Sequence, residues 1–205
     1  MKKIITIARQ YGSNGHRVGH KLAEMLGIKC YDRELTIMAA ERSGMNPDAL
    51  SNVDEKAASS LLYTLVAGSN MYHGSIDQFN MPINDKLFRM QSEIIHELAE
   101  TESCIIVGRC ADYILADHKP CINVFIYADF DHRVKTVCER QGVSEGEARD
   151  LIVKNDKRRA NYYNYYSGQK WGKLENYDLA VSTDIIGIDG AAKLIADYAA
   201  IACGE

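Results

Sequence analysis

The chain has 205 residues, 46% of them hydrophobic and 25% charged, with a net charge of −4 at pH 7. That length suits one α/β domain with a small insertion, and the apolar share is enough for a sizeable core. The acidic balance argues against a partner that is a nucleic-acid polymer, which demands an excess of cations to neutralise phosphates. It leaves room for a local basic pocket around one small anion.

Ile4-Ile5-Thr6-Ile7-Ala8 reads as a strand buried on both faces, the habit of parallel sheets. As an apolar run it is too short for a signal peptide and is ended by Arg9. No stretch approaches the roughly 20 apolar residues of a membrane span, so the expectation is a cytoplasmic protein without membrane contact. Gly12-Ser13-Asn14-Gly15 is a glycine-rich turn. Val18, Leu22, Met25 and Leu26 then recur on one helical face, and Gly27 stops that helix. Ile28–Tyr31 is a second strand, and Leu35–Ser43 a helix ending at Gly44.

Residues 45–83 read as a helical or mobile insertion. Asn84 or Asp85 is expected to cap a strong helix carrying Leu87, Met90, Ile94, Ile95 and Leu98 on one face. Cys104–Val107 and Ile122–Tyr127 are buried strands. Asp131–Arg140 is a helix closed by Gly142, and Ser144 with Glu147 forms a capping box for a helix running past Arg159. Leu179–Ser182 is a fifth strand. Ile188–Ala202 is a terminal helix with Ala191, Leu194, Ile195 and Tyr198 on one face. The six cysteines contain no C-x-x-C pair and sit mainly in apolar runs, as reduced core thiols do.

Alternating strands and helices with solidly apolar strands predict a five-stranded parallel sheet covered by helices on both sides. Ligands of such sheets bind at the carboxyl ends of the strands. The polar loops there are Arg9–Arg17, Asp32-Arg33, Gly108–Asp112 and Asp129–Arg133.

Strand, glycine turn and helix in that order aim backbone N–H groups and the helix dipole at one spot, which suits phosphate. The loop Gly12, Ser13, Asn14, Gly15, His16, Arg17, Val18 is therefore the candidate nucleotide-phosphate site. Against the standard pattern G-x-x-x-x-G-K-[ST], the Lys position holds His16 and the hydroxyl position holds Val18. Arg17 is the candidate surrogate for the lysine. His16 is read as a proton carrier, as a phosphate donor when charged, or as a partly buried helix residue.

Three runs carry a family resemblance: Gly12-Ser13-Asn14-Gly15-His16-Arg17-Val18-Gly19, Ile106-Val107-Gly108-Arg109-Cys110-Ala111-Asp112-Tyr113, and Asn176-Tyr177-Asp178-Leu179. The stretch Asp156 to Trp171, with its run Tyr162-Tyr163-Asn164-Tyr165-Tyr166, adds to it. Together they resemble the cytidylate-kinase-like family, a branch of the P-loop nucleoside monophosphate kinases. The resemblance implies a three-layer P-loop NTPase fold in one domain spanning 1–205. In it 45–83 would be the insertion of the monophosphate-binding type and 144–172 the lid region.

It implies ATP and Mg²⁺ as cofactors, small nucleotides as partners, and CMP or dCMP as acceptor. Asp32, Arg33, Asn84, Lys86, Gln91, Arg109 and Asp112 would bind the acceptor. Arg17, Arg133, Arg158 and Arg159 would stabilise the transferred phosphoryl group. Arg109 matches the arginine of the family's G-R-D motif, although Cys110 replaces the aspartate and Asp112 comes two residues later. Asp156 and Arg159 have the D-x-x-R spacing of the family's lids. Lys154, Lys157, Arg158 and Arg159 also suit a solvated helix face. Asp32 would orient the nucleophile or hold metal-bound water, or form a surface pair with Arg33. The tyrosine run would pack a helix against the sheet or stack on a base.

Overall fold

The computed structural model describes residues 2–43 and 83–204. The insertion expected at 45–83 thus lies, apart from Ile83, outside the described residues. Five strands form one sheet: β1 (Ile4–Arg9), β2 (Lys29–Tyr31), β3 (Cys104–Val107), β4 (Cys121–Tyr127) and β5 (Leu179–Ser182). Their order is β2-β3-β1-β4-β5, and every pairing is parallel. β1 is central, which is why its run is apolar at nearly every position. Ile5 and Ile7 pack on one face with Val18 and Leu22, while Ile4 packs on the other with Leu35 and Ile94. The one polar side chain between them, Thr6, donates its hydroxyl to Asn123 Oδ1 at 2.7 Å, so its burial is satisfied.

Helices α1 (Gly15–Leu26) and α7 (Thr183–Cys203) cover the first face. Helices α2 (Glu34–Ser43), α3 (Ile83–Thr101) and the short α4 (Ala111–Ile114) cover the second. A third cluster of Val134, Val137, Ala148 and Ile152 joins α5 (Phe130–Gln141) to α6 (Glu145–Ser167). Local signals act as read: Gly27 and Gly142 close their helices in the left-handed conformation, and the Ser144–Glu147 box is formed.

Several boundaries differ from the sequence reading, three of them informatively. α5 starts at Phe130 because Asp129 accepts from the N–H groups of Asp131 and His132. Asn84 and Asp85 lie inside the first turn of α3 rather than capping it, and Asp85 instead accepts from the Tyr166 hydroxyl at 2.9 Å. α7 begins with an extra turn, Thr183–Ile186, before a break at Gly187 (φ 69°). Its inner face is Ala191, Ala192, Ile195 and Ala199, and Leu194 is exposed. No helix among the described residues is long and apolar enough to cross a membrane.

Candidate active site

The turn after β1 is built around two left-handed residues, Gly12 (φ 81°) and Asn14 (φ 59°). A Cβ on Gly12 would lie 2.9 Å from the Arg133 carbonyl oxygen, so the position admits only glycine. Ser13 is fully buried and braces the loop. Its hydroxyl donates toward the Gln10 and Ile126 carbonyls, and its own carbonyl accepts from Thr183 Oγ1 at 2.8 Å. Asn14 occupies the N-cap of α1 without capping it. The first amides of α1, from Gly15 through Arg17, lack i−4 partners by construction and point past Asn14.

His16 does not extend from the cradle as a lone cation. Its Nδ1 lies 2.7 Å from Asp32 Oδ2. The other oxygen of Asp32 accepts from Arg9 Nη2 at 3.3 Å. Asp32 is thus buried between a histidine of α1 and an arginine at the end of β1, and Arg33 is exposed and takes no part. The expected surface Asp32–Arg33 pair is corrected: α2 begins at Glu34, whose carboxylate accepts from the Asp32 backbone N–H at 3.0 Å, and that turn directs Asp32 inward.

Three consecutive residues after β3 are left-handed: Gly108 (φ 81°), Arg109 (φ 60°) and Cys110 (φ 56°). Only the first is a glycine, and each of the other two costs about 1–2 kcal/mol. Strain of this kind collects at functional sites. Here the turn delivers Arg109 and Asp112 to the wall of a cleft that Arg9, Arg158, Arg159, Tyr162 and Trp171 also line. Asp112 is buried and accepts from the Tyr163 hydroxyl at 2.7 Å; burial pushes its carboxyl above the usual range.

α6 reaches back to the loop after β1 through one face. Asp156 accepts from the Tyr11 N–H at 2.7 Å and from Arg133 Nη1 at 2.6 Å. One turn on, Arg159 Nη1 donates to the Arg9 carbonyl at 2.9 Å, with its guanidinium over the Tyr11 ring. The D-x-x-R spacing therefore works as a two-point latch on one helical face. Burial, and then the charge of Arg9, pushes the Arg159 guanidinium down to about 9. Arg9 is likewise lowered, chiefly by burial.

Of the four cations read as a solvated face, Lys154 and Lys157 are exposed, but Arg158 and Arg159 turn into the cleft. Arg133 is buried and serves the latch: it also donates to the Tyr11 carbonyl at 3.3 Å. Arg17 is exposed, Val18 is in the core, and Asn84 and Lys86 are half-buried at the start of α3, away from the cleft wall. Gln91 is fully buried between α2 and α6, close to Thr36 Oγ1 and the Tyr162 hydroxyl.

The tyrosine run packs α6 mainly onto α3: Tyr166 stacks on Phe88 with 4.0 Å between ring centroids. Arg9, missed as a site residue, carries one legible signal, a charge at the carboxyl end of an apolar strand directly before a glycine loop. For Mg²⁺ the fit is poor. Both Asp32 oxygens are engaged, and no cluster of metal-ligating side chains occurs among the described residues.

Residues 4–185 match the cytidylate kinase-like family. The chain belongs to that family. It is 27% identical over 124 residues to a cytidylate kinase of Methanoculleus marisnigri, covering 60% of this chain and 65% of that protein. It is 26% identical over 189 residues to a cytidylate kinase of Methanopyrus kandleri, covering 88% and 84% respectively. Among solved structures, an uncharacterized protein from Eubacterium ventriosum superposes with a TM-score of 0.71 at 31% identity, over 97% of this chain and 98% of that one. The shikimate kinase of Bacteroides thetaiotaomicron shares the fold, with a TM-score of 0.53 at 14% identity over 96% and 97%. The expected architecture, a five-stranded parallel sheet between helices on the fold of P-loop kinases, is therefore the one present.

Proposed function

We propose that the protein transfers the terminal phosphoryl group of ATP to a nucleoside monophosphate, with CMP or dCMP preferred. The observation that carries this reading is the convergence of Arg9, Arg109, Arg158 and Arg159 on one cleft at the carboxyl edge of the sheet, with the Arg9 side chain starting against Gly15 of the glycine turn. Phosphoryl transfer asks little covalent chemistry of a protein. It needs the donor and acceptor oxygens in line and cations around the equatorial oxygens. In this reading the amides of Gly15, His16 and Arg17 hold the ATP phosphates, and Arg109 holds the acceptor phosphate. Arg158 and Arg159 stabilise the moving charge, with α6 latched by Asp156 as the element that excludes water. Mg²⁺ would enter as part of the ATP complex and would supply charge neutralisation there, with no residue of this chain assigned to hold it. Membership of the cytidylate kinase-like family and the cytidylate kinases among its relatives support the acceptor class.

A second reading is a nucleotide-binding protein without turnover, possible on the same fold. The engagement of His16 with Asp32 and the apolar Val18 at the hydroxyl position favour it. A coupled assay for ADP release separates the two readings, with ATP, Mg²⁺ and each monophosphate in turn, a shikimate arm and a no-acceptor control. Stimulation by CMP or dCMP supports the kinase. ATP binding without stimulation by any acceptor sinks it in favour of the second reading. Arg109→Ala is expected to abolish acceptor binding and leave ATP binding nearly intact; equal loss of both refutes the role given to Arg109.

A further inference from the structure

A loop of this kind normally carries a lysine that reaches the β- and γ-phosphates. This chain has His16 there, and its Nδ1 is committed to Asp32 at 2.7 Å. Arg17, one residue on, is exposed and is not part of the cleft wall. Of the cations on and beside this loop, the one that lines the cleft is Arg9, at the loop's other end.

Arg9 is the last residue of β1 and shares the face of Ile5 and Ile7, the face that α1 covers. Its Cβ lies where a side chain on Gly15 would begin: a Cβ built there would come within 2.5 Å of it. From that point the side chain crosses above the end of β3. A Cβ on Gly108 would overlap Arg9 Nη1, so the absence of a side chain at Gly108 is the opening through which the guanidinium passes. Its far end meets Asp32 beyond β2, with Nη2 at 3.3 Å from Oδ1. Asp32 is itself buried and fixed from the other side by His16 and from behind by the Glu34 turn.

Two glycines thus shape a channel for one arginine, and a buried carboxylate sets its reach. The guanidinium carries more N–H donors than one carboxylate oxygen uses. It lies with Arg109 and Arg159 on the same cleft.

We infer that Arg9, rather than His16 or Arg17, supplies the fixed cation on the transferred phosphoryl group, with Asp32 as the carboxylate that positions it. The inference rests on the kinase reading and deepens it. Asp32 is on this view a positioning residue, acting through Arg9, and Arg9 is the group that touches the phosphoryl oxygens. On this view the chain replaces a loop lysine that follows the cradle with an arginine that precedes it.

Calorimetric titration with MgATP and with MgADP tests this without needing turnover. Wild type is expected to bind ATP more tightly than ADP. Arg9→Ala is expected to lose about 10- to 100-fold for ATP, the range of one charge-assisted contact, and less than about threefold for ADP on the same scale. Arg9→Lys keeps the charge, and so guards against a folding failure; it should retain part of the ATP preference. In the Arg9→Ala background, His16→Lys should restore it, a rescue that a merely structural role for Arg9 does not produce. Asp32→Asn should weaken ATP selectivity in wild type and do nothing further in Arg9→Ala.

Equal loss for ATP and ADP, no loss, or an ATP-selective loss in Arg17→Ala instead of Arg9→Ala overturns the assignment. So does a wild type that fails to prefer ATP. If ATP selectivity depends on Arg9 but no monophosphate is phosphorylated, the kinase reading fails while Arg9 stands as the terminal-phosphate contact.

Discussion

Gly108→Ala separates the channel for Arg9 from ordinary turn chemistry. The new methyl would overlap Arg9 Nη1 and lie 3.1 Å from its Cζ, so the guanidinium must leave Asp32. Two costs add. A non-glycine residue at φ 81° carries about 1–2 kcal/mol of backbone strain. Displacing Arg9 forfeits a largely buried charge-assisted contact worth about 1.5–3 kcal/mol. Their sum, about 2.5–5 kcal/mol, corresponds to a fall in melting temperature of roughly 5–20 °C for a chain of this size. The decisive assay is a double-mutant cycle with Arg9→Ala, followed by urea unfolding. Without the arginine there is nothing for the methyl to displace. Gly108→Ala should then cost only the backbone strain of about 1–2 kcal/mol, leaving a coupling of about 1.5–3 kcal/mol between the two sites. Equal costs in both backgrounds would refute the argument that Gly108 is open for the sake of Arg9.

Asp156→Ala should cost about 3–5 kcal/mol in urea unfolding because it strands the buried Arg133; adding Arg133→Met should recover much of it, and no recovery would mean the pair is not the latch. Arg159, pushed down to about 9 by burial and by Arg9, sits well below its unfolded value. The unfolded chain therefore holds more protons between those values, and stability should rise with pH across that window as the fold is relieved of a buried charge. Urea unfolding from about pH 8 to about pH 10 reads the sign of that slope, and no rise attributable to Arg159 when compared with Arg159→Met would contradict the cost assigned to its burial. Burial pushes the thiols of Cys30, Cys104 and Cys121 up to about 12 and that of Cys110 up as well. Iodoacetamide at pH 8 followed by mass spectrometry should leave these four unlabelled in the folded protein and label all six on unfolding.

Strand and helix identities were readable from the chain because their causes are local. Ile4–Ala8, Cys104–Val107 and Leu179–Ser182 are apolar runs bounded by breakers; Gly27, Gly142 and the Ser144–Glu147 box act within a few residues of themselves. The four polar loops at the carboxyl ends of the strands followed from the parallel alternation alone, and Arg109, Asp112, Arg158 and Arg159, which line the cleft, had been singled out through it and through the family resemblance. What the chain could not disclose is which side chains meet. Arg9 and Asp32 are 23 residues apart, Arg133 and Asp156 also 23, and Asp112 and Tyr163 are 51 apart. Those pairings depend on β3 inserting between β1 and β2, and on α6 folding back over the loop after β1. Arg17 looked like the missing cation because it is near the loop in sequence. A helix turns successive residues about 100° apart, and that rotation carries Arg17 to solvent while Arg9, at the end of the central strand, lines the cleft.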